Sequence, residues 1–316
     1  MNKQINHLAF VFPGQGSQAV GMLNELAAVY SEIKHTFDRA SYVLGFNLWD
    51  LVSNGPEESL NKTDITQPAM LAAGVAIWEI WCQHSSFRPA WMAGHSLGEY
   101  TALVCAGALF FEDAVKLVGA RARFMQEAVP IGQGAMAAVL GLDDDHVIEV
   151  CKQASQGEIV SAVNFNAPGQ VVIAGQKDAV ERAAKLAKEN GAKRALMLPV
   201  SVPSHCALMR PAADKLEQIL EDTAIATPKI KLLHNVDLEN HNAPEIIRNA
   251  LKEQLYKPVR WVETIQAMVD NGVSCFVECG PGKVLTGLNK RIAKNAEHLS
   301  IFNPESLEKT LVYIND

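Results

Sequence analysis

The chain lacks most of the features that mark secreted, membrane-bound and nucleic-acid-binding proteins. Its six cysteines (Cys82, Cys105, Cys151, Cys206, Cys275, Cys279) show no C-x-x-C pairing, and several sit in apolar runs where a thiol serves as a small hydrophobe. Reduced thiols and no metal are therefore expected. The longest uninterrupted apolar-plus-glycine stretch, Ala102 to Phe111, is far below the ~18 residues that cross a bilayer, so no membrane span is expected. The start, Met1-Asn2-Lys3-Gln4-Ile5-Asn6-His7, has neither the apolar core nor the small-residue cleavage site of a signal peptide, which predicts a cytoplasmic protein. Basic charge is also scarce: 28 Lys and Arg against 35 Asp and Glu leave a net charge of −7. That balance argues against broad nucleic-acid or membrane-surface binding, since neither partner welcomes an acidic surface.

What is present is an ordinary globular composition, 48% hydrophobic and 20% charged over 316 residues, enough for one large core and a smaller appended one. The run Leu8-Ala9-Phe10-Val11-Phe12, halted by Pro13-Gly14-Gln15-Gly16, reads as a buried strand and a glycine-rich turn, with a helix expected from about Ser17. Ile65 to Trp81 is long enough for a helix, and Pro89 to Ala93 is short enough for a second buried strand. Helix and strand alternate, which predicts a parallel sheet covered on both faces. From Gly132 the texture changes. Strands at 135–140, 160–165, 170–175 and 194–198 alternate with helices at 143–153 and 177–190 in the order βαββαβ, the ferredoxin-like unit. The fold expected is thus α/β: a large α/β-hydrolase-like domain with a central parallel sheet (1–131 and 199–316) and an inserted ferredoxin-like domain (132–198). In the return segment, Lys231 to Val236 and Val273 to Glu278 resemble further strands, a helix is expected over Lys283 to Lys294, and Ser300 to Asp316 reads as peripheral.

The chemistry is concentrated in Gly94-His95-Ser96-Leu97-Gly98, a serine between two glycines with an apolar run before it and a helix-like Leu97 to Leu109 after it. This is the pattern of a nucleophile elbow, where a sharp strand-to-helix turn exposes the serine hydroxyl and the helix start offers unpaired N–H groups to a developing oxyanion. The reaction class predicted is acyl transfer through an acyl-serine. Serine needs a base, and of nine histidines the best candidate is His205, in the turn Val202-Pro203-Ser204-His205 before a helix-like stretch; on sequence alone a surface or core role competes. His95 is adjacent to the serine, where side chains diverge, and reads as a support for the elbow. The first turn, Phe12 to Gln18, lacks both the G-K-[ST] ending and G-x-G-x-x-G spacing. An oxyanion role fits it better, with Gln15 and Leu97 as the donors.

Four motifs in order, Phe-Pro-Gly-Gln-Gly-Ser-Gln at 12–18, Gly-His-Ser-Leu-Gly-Glu-Tyr at 94–100, Val-Pro-Ser-His at 202–205 and Gly-Pro-Gly-Lys-Val-Leu at 280–285, resemble the malonyl-CoA:acyl carrier protein transacylases over nearly the whole chain. The resemblance implies ping-pong transfer of malonyl from coenzyme A through Ser96 to the phosphopantetheine thiol of acyl carrier protein, supplying fatty acid synthesis. It implies His205 as base, Gln15 and Leu97 as oxyanion donors, and a main-chain carbonyl at Gln254 orienting the histidine. It makes Arg121 the cation for the malonyl carboxylate; Arg123, two residues on, points about 200° away on a helix. Gln67, Asn164 and Asn166 match positions near the substrate, where turn and capping roles compete, and the Gly280 to Leu285 corner reads as structural. No cofactor is implied, and a monomer is expected. For an acidic carrier protein, Lys283, Lys290, Arg291, Lys294, Lys193 and Arg194 are candidate docking charges.

Val-Pro-Ser-His departs from the His-Ala-Phe-His and Tyr-Ala-Ser-His motifs of related polyketide acyltransferases and matches the stand-alone type. A trans-acting polyketide acyltransferase shares the same chemistry. A serine thioesterase or esterase would want an apolar pocket at Arg121, and a non-catalytic scaffold would have lost Ser96 or His205.

Overall fold

The computed structural model describes residues 3–200 and 202–315. Met1, Asn2, Ser201 and Asp316, which fall in the spans expected for the large domain, lie outside the described residues. The strands among the described residues are β1 (Lys3–Phe12), β2 (Phe87–Gly94), β3 (Gly134–Leu140), β4 (Val160–Ala167), β5 (Gln170–Gln176), β6 (Arg194–Met197), β7 (Lys231–Leu233), β8 (Cys275–Cys279) and β9 (Glu297–Ile301).

The apolar run that ends β1 makes it the centre of a five-stranded sheet, ordered β7-β2-β1-β8-β9 with every pairing parallel. Parallel neighbours need crossovers, and the crossover helices bury both faces. The two-residue period of the strand sorts its side chains. Leu8, Phe10 and Phe12 join one core cluster, whereas Ala9 and Val11 join another on the opposite face with Trp261, Ile265 and Phe276. The Thr63–His84 helix covers the first face, and its Trp78 and Trp81 rings lie 5.4 and 5.2 Å from Phe10. That helix is long and apolar enough by length and composition to cross a membrane, although no uninterrupted apolar run within it reaches that length. Within the fold 83% of its most apolar window is buried, so its apolar surface is consumed by the core.

The second sheet is antiparallel throughout, ordered β4-β5-β3-β6. The helices Asp144–Ser155 and Lys177–Glu189 share one core with one of its faces. The other face gathers Met136, Val163, Val172 and Ala174 against Cys206. Connection order and antiparallel pairing together make the ferredoxin-like arrangement.

Several local expectations are corrected. No helix starts at Ser17: Gly16, Gly21 and Leu23 have positive φ, the Gly16 N–H donates to Gln18 Oε1, and the helix begins at Asn24. The elbow helix is Gly98–Cys105, stopped before Leu109 by the left-handed Gly107. The strand at Lys231 ends at Leu233, so His234 and Asn235 turn away from the sheet. The segment from Ser300 is less peripheral than expected, because Ser300 and Ile301 complete the edge strand β9 and Ile301 is fully buried. All six cysteines are free thiols.

Candidate active site

β2 ends at Gly94 and the next helix starts at Gly98, which leaves Ser96 at the tip with φ 51°. A left-handed serine costs on the order of 1–3 kcal/mol, and two side chains offset that cost. Asn235 Oδ1 accepts the Ser96 N–H at 2.8 Å, and Gln254 Nε2 donates to the Ser96 carbonyl at 3.0 Å, each contributing about 1 kcal/mol. Both flanking glycines are required by contact. A Cβ on Gly94 would lie 1.8 Å from the Gly98 carbonyl carbon, and one on Gly98 would lie 2.0 Å from the Phe12 oxygen.

His205 also has a positive φ, 64°, and its N–H is held by the Leu255 carbonyl at 2.9 Å. Its Nδ1 donates to the Gln254 carbonyl at 2.7 Å, and its Nε2 lies 2.8 Å from Ser96 Oγ. A carbonyl only accepts, so it keeps the proton on Nδ1 and leaves Nε2 free to accept the serine proton. Burial, reinforced by the nearby Arg121 charge, pulls the imidazole down to about 3. The resting base is therefore neutral across the working pH range.

Arg121 is 1% exposed. It donates to Gln67 Oε1 at 2.8 Å, Gln254 Oε1 at 3.0 Å and Ser96 Oγ at 3.2 Å, and it lies over the Tyr100 ring. None of these contacts is a carboxylate, and its Nε has no partner among the described residues. A buried cation with no anion in direct contact is costly, and the Glu99 carboxylate reaches it only through Gln254, so this is a preformed anion site beside the nucleophile. Arg123 faces away, largely exposed and near Glu127.

A cavity of about 440 Å³ brings together Gln15, Gln67, His95, Ser96, Leu97, Arg121, Asn164, Asn166 and His205. Gln254 stands behind it, fully buried. The first turn packs against the elbow because Gly14 has no Cβ; one there would lie 2.5 Å from the His95 oxygen. Neither the Gln15 nor the Leu97 N–H has an acceptor among the described residues, which leaves both available to an oxyanion. His95 Nε2 bonds Asn166 Oδ1 at 2.8 Å and its ring packs on Trp261, tying the elbow to the second sheet. Asn164 Oδ1 is buried without a partner among the described residues in the cavity wall.

The Gly280 corner is pinned by Glu278, which accepts the Leu285 and Thr286 N–H groups. It also supplies Val284, Leu285 and Leu288 to the cavity. Of the candidate docking charges, Arg291 is committed to Gln170 and the Pro168 carbonyl and Lys283 lies over Phe302. Lys193, Arg194, Lys290 and Lys294 are exposed. Residue-pattern reasoning missed Asn235, Glu99 and His234, all fully buried behind the elbow. Glu99 alone carried a signal: an acidic residue within Leu97 to Leu109, a stretch that otherwise reads as a buried helix.

Comparison with known proteins adds a family. The acyl transferase domain family matches residues 9–302. The chain is 59% identical to the malonyl CoA-acyl carrier protein transacylase of Haemophilus influenzae over 93% of its length and 94% of the relative's. It is 44% identical to that of Bacillus subtilis over 99% of both. An acyl carrier protein S-malonyltransferase from Vibrio cholerae superposes with a TM-score of 0.94 at 57% identity, covering 96% of this chain and 99% of that one. A malonyl-transacylase solved in complex with its type II PKS acyl-carrier protein superposes with a TM-score of 0.96 at 54% identity, covering 97% and 99%.

Proposed function

Because the chain belongs to the acyl transferase domain family, among its malonyl CoA-acyl carrier protein transacylases, we propose that it moves malonyl from coenzyme A to the phosphopantetheine thiol of acyl carrier protein. It supplies fatty acid synthesis, as a monomer in the cytoplasm. No cofactor is needed, since nucleophile, base and cation all come from side chains.

Ser96 Oγ attacks the malonyl thioester carbonyl while its proton passes to His205 Nε2. The tetrahedral oxygen is received by the N–H groups of Gln15 and Leu97. Collapse expels the coenzyme A sulfur, which takes the proton from His205, and malonyl remains as an ester on Ser96. In the second half the carrier-protein thiol gives its proton to His205 and attacks that ester, and Ser96 recovers its proton. Exchange between two thioesters is nearly balanced, so the serine–histidine dyad, oriented by a carbonyl and not a third acid, suffices.

The observation that carries this reading is the buried Arg121, 3.2 Å from Ser96 Oγ. Guanidinium stays charged and can offer a carboxylate two parallel hydrogen bonds, and its Nε, without a partner among the described residues, is open to an anion. Its closeness to the nucleophile suits a diacid whose free carboxylate is one methylene from the reacting carbonyl. Gln67 keeps the guanidinium oriented, Asn164 and Asn166 shape the wall opposite, and His95 links the elbow to Asn166.

The test is transfer from malonyl-CoA and from acetyl-CoA to phosphopantetheinylated carrier protein and to a small pantetheine thiol. Malonyl transfer to both acceptors, with acetyl transfer at least about 100-fold slower, is expected. Release of coenzyme A with malonate lost to water, and no acyl on either thiol, would make the protein a thioesterase instead. Transfer to the carrier protein should fall with salt more steeply than transfer to pantetheine, through Lys283, Lys290, Arg291, Lys294, Lys193 and Arg194.

A further inference from the structure

Two acids among the described residues are fully buried; Glu278 is occupied at the Gly280 corner, and the other is left over from the mechanism. Glu99, on the first turn of the Gly98–Cys105 helix, is 0% exposed and does not touch substrate space or His205. Its carboxylate accepts three hydrogen bonds and donates none. Oε1 takes His234 Nδ1–H at 2.7 Å; Oε2 takes the Asn235 N–H at 3.1 Å and Gln254 Nε2–H at 2.8 Å.

Two of these donors belong to the residues that hold the nucleophile. Asn235 clamps the Ser96 N–H through Oδ1 and the Gly94 carbonyl through Nδ2. Gln254 clamps the Ser96 carbonyl through Nε2, accepts Arg121 through Oε1, and holds His205 Nδ1 through its main-chain oxygen. Both peptide groups of the left-handed Ser96 therefore depend on residues that converge on a single acceptor, Asn235 through its main-chain N–H and Gln254 through its side-chain amide. The amide of Gln254 also lies in a chain from guanidinium to carboxylate, which fixes which of its ends is oxygen and which is nitrogen.

We infer that Glu99 is a positioning residue for the acyl-serine reaction: through Asn235 and Gln254 it holds Ser96, His205 and Arg121 in one register. The acid of this site supports the turn beneath the dyad and does not orient the histidine directly. The inference rests on the acyl-serine reading.

Its test compares Glu99→Gln and Glu99→Ala with the unaltered chain by malonyl transfer kinetics and by the rate at which a neutral aryl-methyl sulfonyl fluoride modifies Ser96, read by peptide mass. The sulfonyl reagent needs serine and base but no malonyl carboxylate. Glu99→Gln keeps an oxygen for Asn235 and Gln254, and His234 accommodates the new amide by moving its proton to Nε2, which has no partner among the described residues. Glu99→Ala removes all three contacts. We expect kcat to fall about 100-fold in Glu99→Ala and about tenfold in Glu99→Gln, the sulfonylation rate to fall in parallel, and KM for malonyl-CoA to move less than about threefold. Folded Glu99→Gln protein that reacts with malonyl-CoA and with the sulfonyl reagent at the unaltered rates would overturn the inference, whatever the fate of Glu99→Ala. So would a loss confined to KM, or one explained by the unfolded fraction in thermal melts. If the unaltered chain is not modified at Ser96, the acyl-serine reading itself fails.

Discussion

The two walls of the cavity are built on different physics. On the parallel-sheet side, the ends of β1 and β2 and the loop after β7 bring strained backbone and buried polar groups together. Ser96 and His205 are left-handed, while Arg121, Glu99, Asn235 and Gln254 are all at most 1% exposed and hydrogen-bonded to one another or to Ser96. On the antiparallel-sheet side, Met136, Ala138 and Val172 present an apolar face with two asparagines in it. The first wall tolerates no loss, since each removed partner leaves a buried polar group unsatisfied. The second is a surface to be fitted, where a change of shape alters binding by small amounts. Chemistry should therefore map to one wall and substrate fit to the other.

The largest effect should come from the nucleophile. Ser96→Ala is expected to lower malonyl transfer by about 10⁴-fold or more while the thermal melting point moves little. Retained transfer would move the chemistry away from the elbow.

Arg121→Ala comes next, with kcat/KM for malonyl-CoA falling about 10²- to 10³-fold and acetyl-CoA becoming a competitive donor. It should also move the pH profile. His205 must be neutral to accept the serine proton, so activity falls as pH drops through its pKa. Burial and the Arg121 charge hold that pKa at about 3. The acid limb of kcat/KM in the unaltered protein should thus lie well below the ordinary imidazole value of about 6.5, and removing the guanidinium should shift it to higher pH. A limb that stays put in Arg121→Ala would uncouple the cation from the base.

The smallest effects belong to the opposite wall. Val172→Ser or Asn166→Ala should raise KM for malonyl-CoA by about tenfold or less, within the cost of one apolar group or hydrogen bond, with kcat unchanged within about twofold. A collapse of kcat in either variant would erase the contrast between the walls.

The same contrast explains what could be read before the structure. Leu8 to Phe12 and the six segments of the small unit were legible because apolar period and turn residues are local signals. Gly-His-Ser-Leu-Gly was legible because the tight crossing of Gly94 over Gly98 leaves no choice of residue. Arg121 and Gln254 came only from resemblance to a family, since a helix arginine and a main-chain carbonyl carry no local mark. Asn235 and His234 were hidden because Lys231 to Val236 reads as continuous strand, whereas β7 stops at Leu233 and the next two residues turn onto the elbow. The helix expected at Ser17 failed for a related reason: the left-handed Leu23 is a conformation that residue type does not announce.

The central claim is that Ser96 and Arg121 together make a serine that takes a diacid acyl group. Its most direct test is incubation with malonyl-CoA in the absence of carrier protein, followed by intact and peptide masses, beside acetyl-CoA and the Ser96→Ala and Arg121→Ala variants. The account predicts a malonyl adduct on the Ser96 peptide, absent with acetyl-CoA and lost in both variants. Turnover of malonyl-CoA with no adduct on Ser96, or equal labelling by acetyl-CoA, would contradict it.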